Sequence, residues 1–193
     1  MVDDMGYGDA GCYNPQSKIP TPHIDSLARD GKRFTDAHTP GALCHPSRYG
    51  LLTGQHPFRT DVASWRTRSV IRDDQTTIAA LLQANGYRTA MVGKWHMGHL
   101  PRHLPTTQGF ESYYGIPYSN DMDRDPSVKG NWVTIGKTSP WSIYKVPLLQ
   151  NEKEIERPVN QKTITRRYTQ QAVKFIKNNK ETVSYTHLTL PTK

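Results

Sequence analysis

The chain has 193 residues, enough for one domain with a buried core, and no window is apolar enough for a transmembrane helix. With 35% hydrophobic residues, 14 Gly, 14 Pro and a mean hydropathy of -0.73, the composition is that of a globular protein with long polar connections rather than of a disordered one. The formal charge of +8 suits an anionic partner, but Lys and Arg are scattered rather than striped and no nucleic-acid motif is present, so nucleic acid is not the expected partner.

In chain order, Met1-Val2 leads into Asp3-Asp4-Met5-Gly6-Tyr7-Gly8-Asp9. Adjacent carboxylates face opposite ways on a regular strand. At a strand end the chain can turn and bring both around one hard cation, for which oxygen ligands suit Ca²⁺ or Mg²⁺; the opposed reading is a solvated turn with Asp as a local cap. Residues 21–31 predict a helix with Thr21 as N-cap, Pro22 in the first position, Ile24, Leu27 and Ala28 on one face and Gly31 past the end. A strand is predicted around residues 33–35. Cys44-His45-Pro46-Ser47-Arg48-Tyr49-Gly50-Leu51-Leu52-Thr53-Gly54 reads as a loop entering a helix that Gly54 ends. Cys44 then sits near a helix N-terminus, where backbone N–H groups favour an anion, although a lone free cysteine is ordinarily a small apolar core residue. A third helix is predicted over residues 75–85, with Ile78, Leu81 and Leu82 inward and Gly86 as its stop, and a buried strand over residues 87–93.

The carboxyl end of that strand delivers Lys94 and His96, which share a face in extended chain while Trp95 points to the opposite side. Ligands of α/β sheets bind beyond the carboxyl ends of the strands, which gathers Asp3, Asp4, Lys94 and His96 at one edge. Residues 117–147 read as long loops, in which Trp132, Trp141 and Tyr144 either stack on a ligand or anchor the loop. Ile164, Tyr168, Ala172, Phe175 and Ile176 mark an amphipathic helix. The alternation of helix and strand predicts an α/β class.

Three of these segments, in this order, resemble the type I sulfatases, the formylglycine-dependent family with an arylsulfatase A-like branch in the alkaline phosphatase superfamily: Asp3 to Asp9, Cys44 to Arg48 continued by Leu52-Thr53-Gly54, and Gly93-Lys94-Trp95-His96. The likeness runs from about Asp3 to Lys180. It implies an alkaline-phosphatase-like sandwich with a central, mostly parallel sheet flanked by helices, and hydrolysis of an organic sulfate ester to alcohol and sulfate. It further implies that a formylglycine-generating enzyme oxidises Cys44 to an aldehyde whose hydrate has one hydroxyl to attack sulfur and a second to expel the product, splitting one hard step into two. By the same resemblance Asp3, Asp4 and the oxygen at position 44 hold Ca²⁺, with Mg²⁺ as the alternative. Arg48 and Lys94 hold the anion, and His96 hydrogen-bonds the diol and moves its proton. Gly115-Ile116-Pro117-Tyr118-Ser119-Asn120-Asp121 resembles the arylsulfatase A branch, which makes Ser119 a substrate contact. Cys12 and Cys44 allow one disulfide by count, and the sulfatase reading forbids it because Cys44 is consumed.

Gln55 stands where the signature commonly has Arg, and His45 occupies its freely variable place. The family's later histidine, Asp/Asn metal pair and second lysine find no match, so the expectation is an N-terminal part of a sulfatase catalytic domain over residues 1–182, inactive by itself. Val183 to Thr192 matches the translation of a common transposase-type sequencing adapter, so residues 183–193 are expected to be non-native read-through, and His187 is not offered as the second histidine. The substrate is expected to be a sulfated small molecule or sulfated glycan, met in the periplasm or outside the cell. The alternatives are a phosphonate or phosphodiester hydrolase of the same superfamily and a non-catalytic remnant.

Overall fold

The computed structural model describes residues 1–131, 134–135 and 140–189, so Trp132 lies outside the described residues. In chain order the main elements are helices α1 (Pro22–Asp30), α2 (Cys44–Thr53) and α3 (Ile78–Ala84), strands β1 (Arg88–Gly93), β2 (Ser112–Gly115), β3 (Leu148–Gln150) and β4 (Lys153–Glu156), helix α4 (Ile164–Asn178) and strand β5 (Ser184–Thr189). The strands form one sheet in the order β4-β3-β2-β1-β5. β1 has a parallel neighbour on each side, with Met91 opposite Tyr113 of β2 and His187 of β5, whereas β3 pairs antiparallel with both β2 and β4.

Burial on both faces explains the nearly unbroken apolar run of β1, in which every residue after Arg88 is buried. Alternation of side chains divides the sheet between two cores. Met91, Tyr113 and Leu149 join Tyr49 and Leu52 of α2, Ala79 of α3, Trp95 and Phe110 on one face. On the other face, Val92, Ile116 and Leu148 pack against Ile164, Tyr168 and Ala172 of α4. The result is the expected α/β class, with helices on both sides of the sheet. No helix among the described residues is long and apolar enough to cross a membrane.

Several local expectations are corrected. α1 has the predicted bounds, but Ile24 and Leu27 face outward, Leu27 with 74% exposure, and no α1 residue is buried. Polar ties hold this helix instead: Asp25 accepts from the Cys12 amide (2.8 Å) and the Thr21 hydroxyl (3.0 Å), and Thr21 accepts from the Gly11 amide (2.8 Å) rather than capping the helix. The strand around residues 33–35 does not form. Local side-chain bonds are made there, Arg33 to the Cys12 carbonyl and the Tyr13 hydroxyl to the Phe34 carbonyl at 2.8 Å.

α3 starts later than predicted, after Thr77, whose hydroxyl accepts from the Ala80 amide (3.0 Å), and its face is rotated. Ala79 is buried while Ile78 and Leu81 are exposed. The cause is close backbone packing: Gly109 lies against Ala79 and Ala80 so tightly that a Cβ on it would collide, so the helix approaches on its smallest side chains.

Residues 184–189, set apart above as adapter-like, form β5, in keeping with the β-propensity of their Tyr and Thr residues. His187 points into the core beside Phe110 and Tyr185, with ring centroids 6.2 and 6.3 Å away. Burial, with the chain's amino terminus and Arg48, lowers its pKa to about 4. In the long loop Tyr144 is buried and Trp141 leans on it at 5.6 Å, so this pair anchors the loop.

Two substitutions test this packing by urea unfolding. Gly115→Ala should cost about 1–3 kcal/mol or more, because its Cβ would run into the Gly93 carbonyl across the β1-β2 pair. Leu81→Ala, on the outward face of α3, should stay within about 0.5 kcal/mol; a loss of several times that would mean that α3 faces the other way.

Candidate active site

α2 begins at Cys44 itself, after an extended Leu43. The Ser47 amide closes the first turn on the Leu43 carbonyl (3.2 Å), and its hydroxyl donates to Gly41 (2.6 Å). Pro46 sits in that first turn, where a missing N–H costs nothing, and Gly41 packs so closely on it that a Cβ would clash. At the other end Gly54 adopts φ 68 and its amide donates to the Gly50 carbonyl (2.9 Å), a left-handed cap that glycine supplies most readily. Gln55, the residue that departs from the signature, accepts from Gln75 (2.9 Å), which also donates to the Tyr49 hydroxyl (2.6 Å) and ties the helix to the approach of α3.

Arg48 lies one turn beyond Cys44, on the same side of α2. It is 1% exposed, and its guanidinium donates to the Lys94 carbonyl and to Asp3 Oδ2 (3.2 Å). Lys94, also buried, donates from Nζ to the same Asp3 oxygen at 2.5 Å. One carboxylate oxygen thus stands between two buried cations. Burial pushes the Asp3 carboxyl up, but the hydrogen bond and charge of Lys94, together with Arg48, outweigh it and hold the group below its ordinary value. Asp4 follows with φ 58, a left-handed conformation that Asp tolerates better than most residues. This turn leaves Asp3, Asp4 and Cys44 lining one cavity of about 660 Å³, with Thr39, Gly41 and Ser47.

His96 has φ 62, and its amide donates to the Pro117 carbonyl (3.0 Å). Its ring is buried against His45, centroids 5.2 Å apart. Burial, then Lys94, His45 and Arg48, lower the His96 pKa to about 2, with Asp121 opposing. The imidazole is therefore neutral and able both to donate and to accept. Trp95 turns to the core as expected and donates from Nε1 to the His103 carbonyl (2.8 Å). His45, read in the sequence as freely variable, is the residue that inspection of the motif missed; the available signal was its place beside Cys44 in the first turn of α2. Ser119 is buried and opens a turn in which the Met122 amide donates to its carbonyl (3.1 Å). It is not among the residues lining the Cys44 cavity; the neighbouring Pro117 carbonyl accepts from the His96 amide, and Asp121 acts electrostatically on the His96 ring.

Cys12 and Cys44 are both free. Among the described residues, no group of three or more His, Cys, Asp or Glu side chains is arranged to hold a metal. Asp3 and Asp4 offer hard oxygens alone, the chemistry of Ca²⁺ or Mg²⁺ rather than of softer metals, so they fit such an ion as part of its shell.

Removing the Asp3 charge should leave two buried cations uncompensated, and Asp3→Asn is expected to cost about 3–5 kcal/mol at neutral pH. Because the folded pKa is depressed, the stabilisation is present above the ordinary value of 3.8 and is lost as the pH falls through the lower folded value. Unfolding curves of the two proteins from pH 7 downward should therefore converge only in that acid range; a constant difference throughout would show that Asp3 does not titrate as the geometry requires.

The family model described as Sulfatase matches residues 1–190. Arylsulfatase G of Mus musculus is 37% identical over 192 residues, which are 91% of this chain and 36% of the relative. Arylsulfatase A of Homo sapiens is 47% identical over 128 residues, 63% of this chain and 25% of the relative. Among solved structures, Ps i-CgsB in complex with k-i-k-neocarrahexaose matches with a TM-score of 0.76 at 31% identity, covering 100% of this chain and 44% of that one. The chain thus spans about a third of the length of the arylsulfatase G relative it matches. Its architecture is the α/β, alkaline-phosphatase-like fold of those sulfatases.

Proposed function

The chain belongs to the sulfatase family, and from that membership we propose that the protein is a sulfuric ester hydrolase, cleaving an organic sulfate ester to an alcohol and sulfate. The observation that supports this most is the convergence of Arg48, Lys94 and His96, from α2 and from the end of β1, beside a cysteine that opens a helix. Two buried cations share a single carboxylate oxygen. A tetrahedral anion is the complement of such a site, and in a low-dielectric pocket fixed cations stabilise charge that develops in the transition state.

Arg48 and Lys94 would bind and orient the sulfuryl group, each already held by Asp3 so that little reorganisation accompanies binding. An anion arriving beside His96 favours the protonated ring, so an imidazole nitrogen would take the proton from the hydroxyl at position 44 and later return it. His45 would keep the His96 ring in place and water away from it. Oxidation of Cys44 by a formylglycine-generating enzyme would supply the hydrated aldehyde as nucleophile. Asp3 and Asp4, with the oxygen at position 44, would hold a Ca²⁺ ion, or Mg²⁺, that adds positive charge at the reacting oxygens. Ser119 would contact substrate from the turn after Pro117.

The solved neighbour holds neocarrahexaose, an oligosaccharide, which favours a sulfated glycan over a sulfated small molecule as the substrate class. Export to the periplasm or beyond, and the origin of residues 183–193 in adapter read-through, belong to the same proposal. Long-read sequencing of the source locus tests the latter.

The functional reading is tested on the longer protein encoded at that locus, purified after co-expression with a formylglycine-generating enzyme. It should hydrolyse sulfate esters in preference to phosphate esters and show an aldehyde at position 44 by peptide mass spectrometry. Cys44→Ala should lower kcat by about 10³-fold or more, and a chelator should remove activity that Ca²⁺ restores. Preference for phosphodiesters would assign a phosphodiester hydrolase instead, and an unmodified Cys44 without turnover a non-catalytic protein. Residues 1–193 alone should be inactive.

A further inference from the structure

A second cavity, of about 200 Å³, is lined by Arg66, His99, Tyr118, Met122 and Asp123, none of which has a part in the site above. It adjoins that site through the backbone. The His96 amide is bonded to the Pro117 carbonyl, so the chain leaving His96 reaches His99, and the chain leaving Pro117 reaches Tyr118, from a common point. Asp121, in the turn between Ser119 and Met122, acts electrostatically on His96. The volume is below the roughly 300–1,000 Å³ of pockets that take drug-sized ligands and suits a single ring.

The chemistry of the walls narrows the choice further. Tyr118 and His99, both half-buried, meet edge to face at 5.8 Å, and with the Met122 thioether they offer apolar surface to the C–H face of a sugar. Arg66 brings a planar cation that matches a carboxylate or sulfate. Asp123, the acid in this lining, is paired with Arg157 (2.6 Å) and accepts from the Tyr118 hydroxyl (3.1 Å), so its charge is already countered and does not repel an anion.

We propose that this cavity is a subsite for an anionic pyranose ring adjacent to the sulfated ring of a glycan, with Arg66 pairing its carboxylate or sulfate and Tyr118, His99 and Met122 carrying the ring. The place of that ring in a substrate rests on the sulfate-ester reading; the binding itself does not.

The five methionines separate the two sites. Met1 and Met5 line the Cys44 cavity, Met122 the second cavity, and Met91 and Met97 are in the core as internal reporters of folding. The 193-residue chain, labelled with ¹³C at its methionine methyls, is titrated by NMR with a methyl galacturonoside, a sulfated methyl galactoside, uncharged methyl galactoside and inorganic sulfate. At least one charged glycoside should shift the Met122 signal saturably and bind about tenfold more tightly than the uncharged one, as expected for one charge-assisted pair. Comparison of the two charged glycosides tells which anion is preferred. Arg66→Ala should abolish the preference for charge, and Arg66→Lys should restore part of it, with Met91 and Met97 unmoved. The subsite is overturned if neither charged glycoside moves Met122, or if Arg66→Ala leaves their apparent Kd unchanged. Inorganic sulfate reports separately through Met1 and Met5: their silence beside a Met122 response would uphold the binding at the cavity independently of the sulfate-ester reading, which is tested on the longer protein.

Discussion

The arrangement depends on one buried carboxylate. Asp3 Oδ2 accepts from Lys94 Nζ and from the Arg48 guanidinium, partners 91 and 45 residues away in the chain. An isolated ion loses several kcal/mol when removed from water, so two cations at this depth persist only if an anion stands between them. That single requirement brings together the amino-terminal segment, the first turns of α2 and the carboxyl end of β1. Asp3 and Asp4 line one cavity, and Arg48 and Lys94 stand behind Asp3.

The sheet supplies the rigidity behind it. The Lys94 carbonyl accepts from both Arg48 and the Thr189 hydroxyl (2.8 Å), and the amino group of Met1 donates to the Leu188 carbonyl (2.9 Å), so in this chain β5 touches both the end of β1 and the segment before Asp3. Gly93 ends β1 with φ 111, and its lack of a Cβ admits the Thr189 backbone at close range. Three residues later His96 takes φ 62. Left-handed backbone at a non-glycine residue costs of order 1–3 kcal/mol, and here it turns the imidazole toward His45 and the N-terminus of α2. Strain and charge are therefore concentrated at the same edge of the sheet, where the ligand of an α/β protein is met.

The site residues were legible as types in a pattern. Asp3, Asp4, Cys44, Arg48, Lys94 and His96 could be named from three short motifs, because each motif sets particular side chains at particular spacings. Helix ends were legible too: Pro22, Gly31, Gly54 and Gly86 mark boundaries through their own backbone constraints. Burial was less so. Ile78 and Leu81 match an inward stripe by periodicity, yet α3 turns Ala79 to the core because Gly109 must come within backbone contact of it. Residues 33–35 were predicted as a strand, yet among the described residues they pair with no strand and are tied to Cys12 and Tyr13 by side-chain bonds instead.

By itself, then, the sequence determined the α/β class, the bounds of α1, α2 and β1, and the family, since all of these are expressed in local periodicity, capping and short motifs. Only the tertiary structure decided which partners those residues take. It set Asp3 between Lys94 and Arg48, tilted His45 against His96, left Ser119 outside the lining of the Cys44 cavity and made of residues 184–189 a strand beside β1. These outcomes rest on contacts between distant parts of the chain, where the neutralisation of buried charge and the fit of backbone against backbone select one pairing among many that local pattern permits.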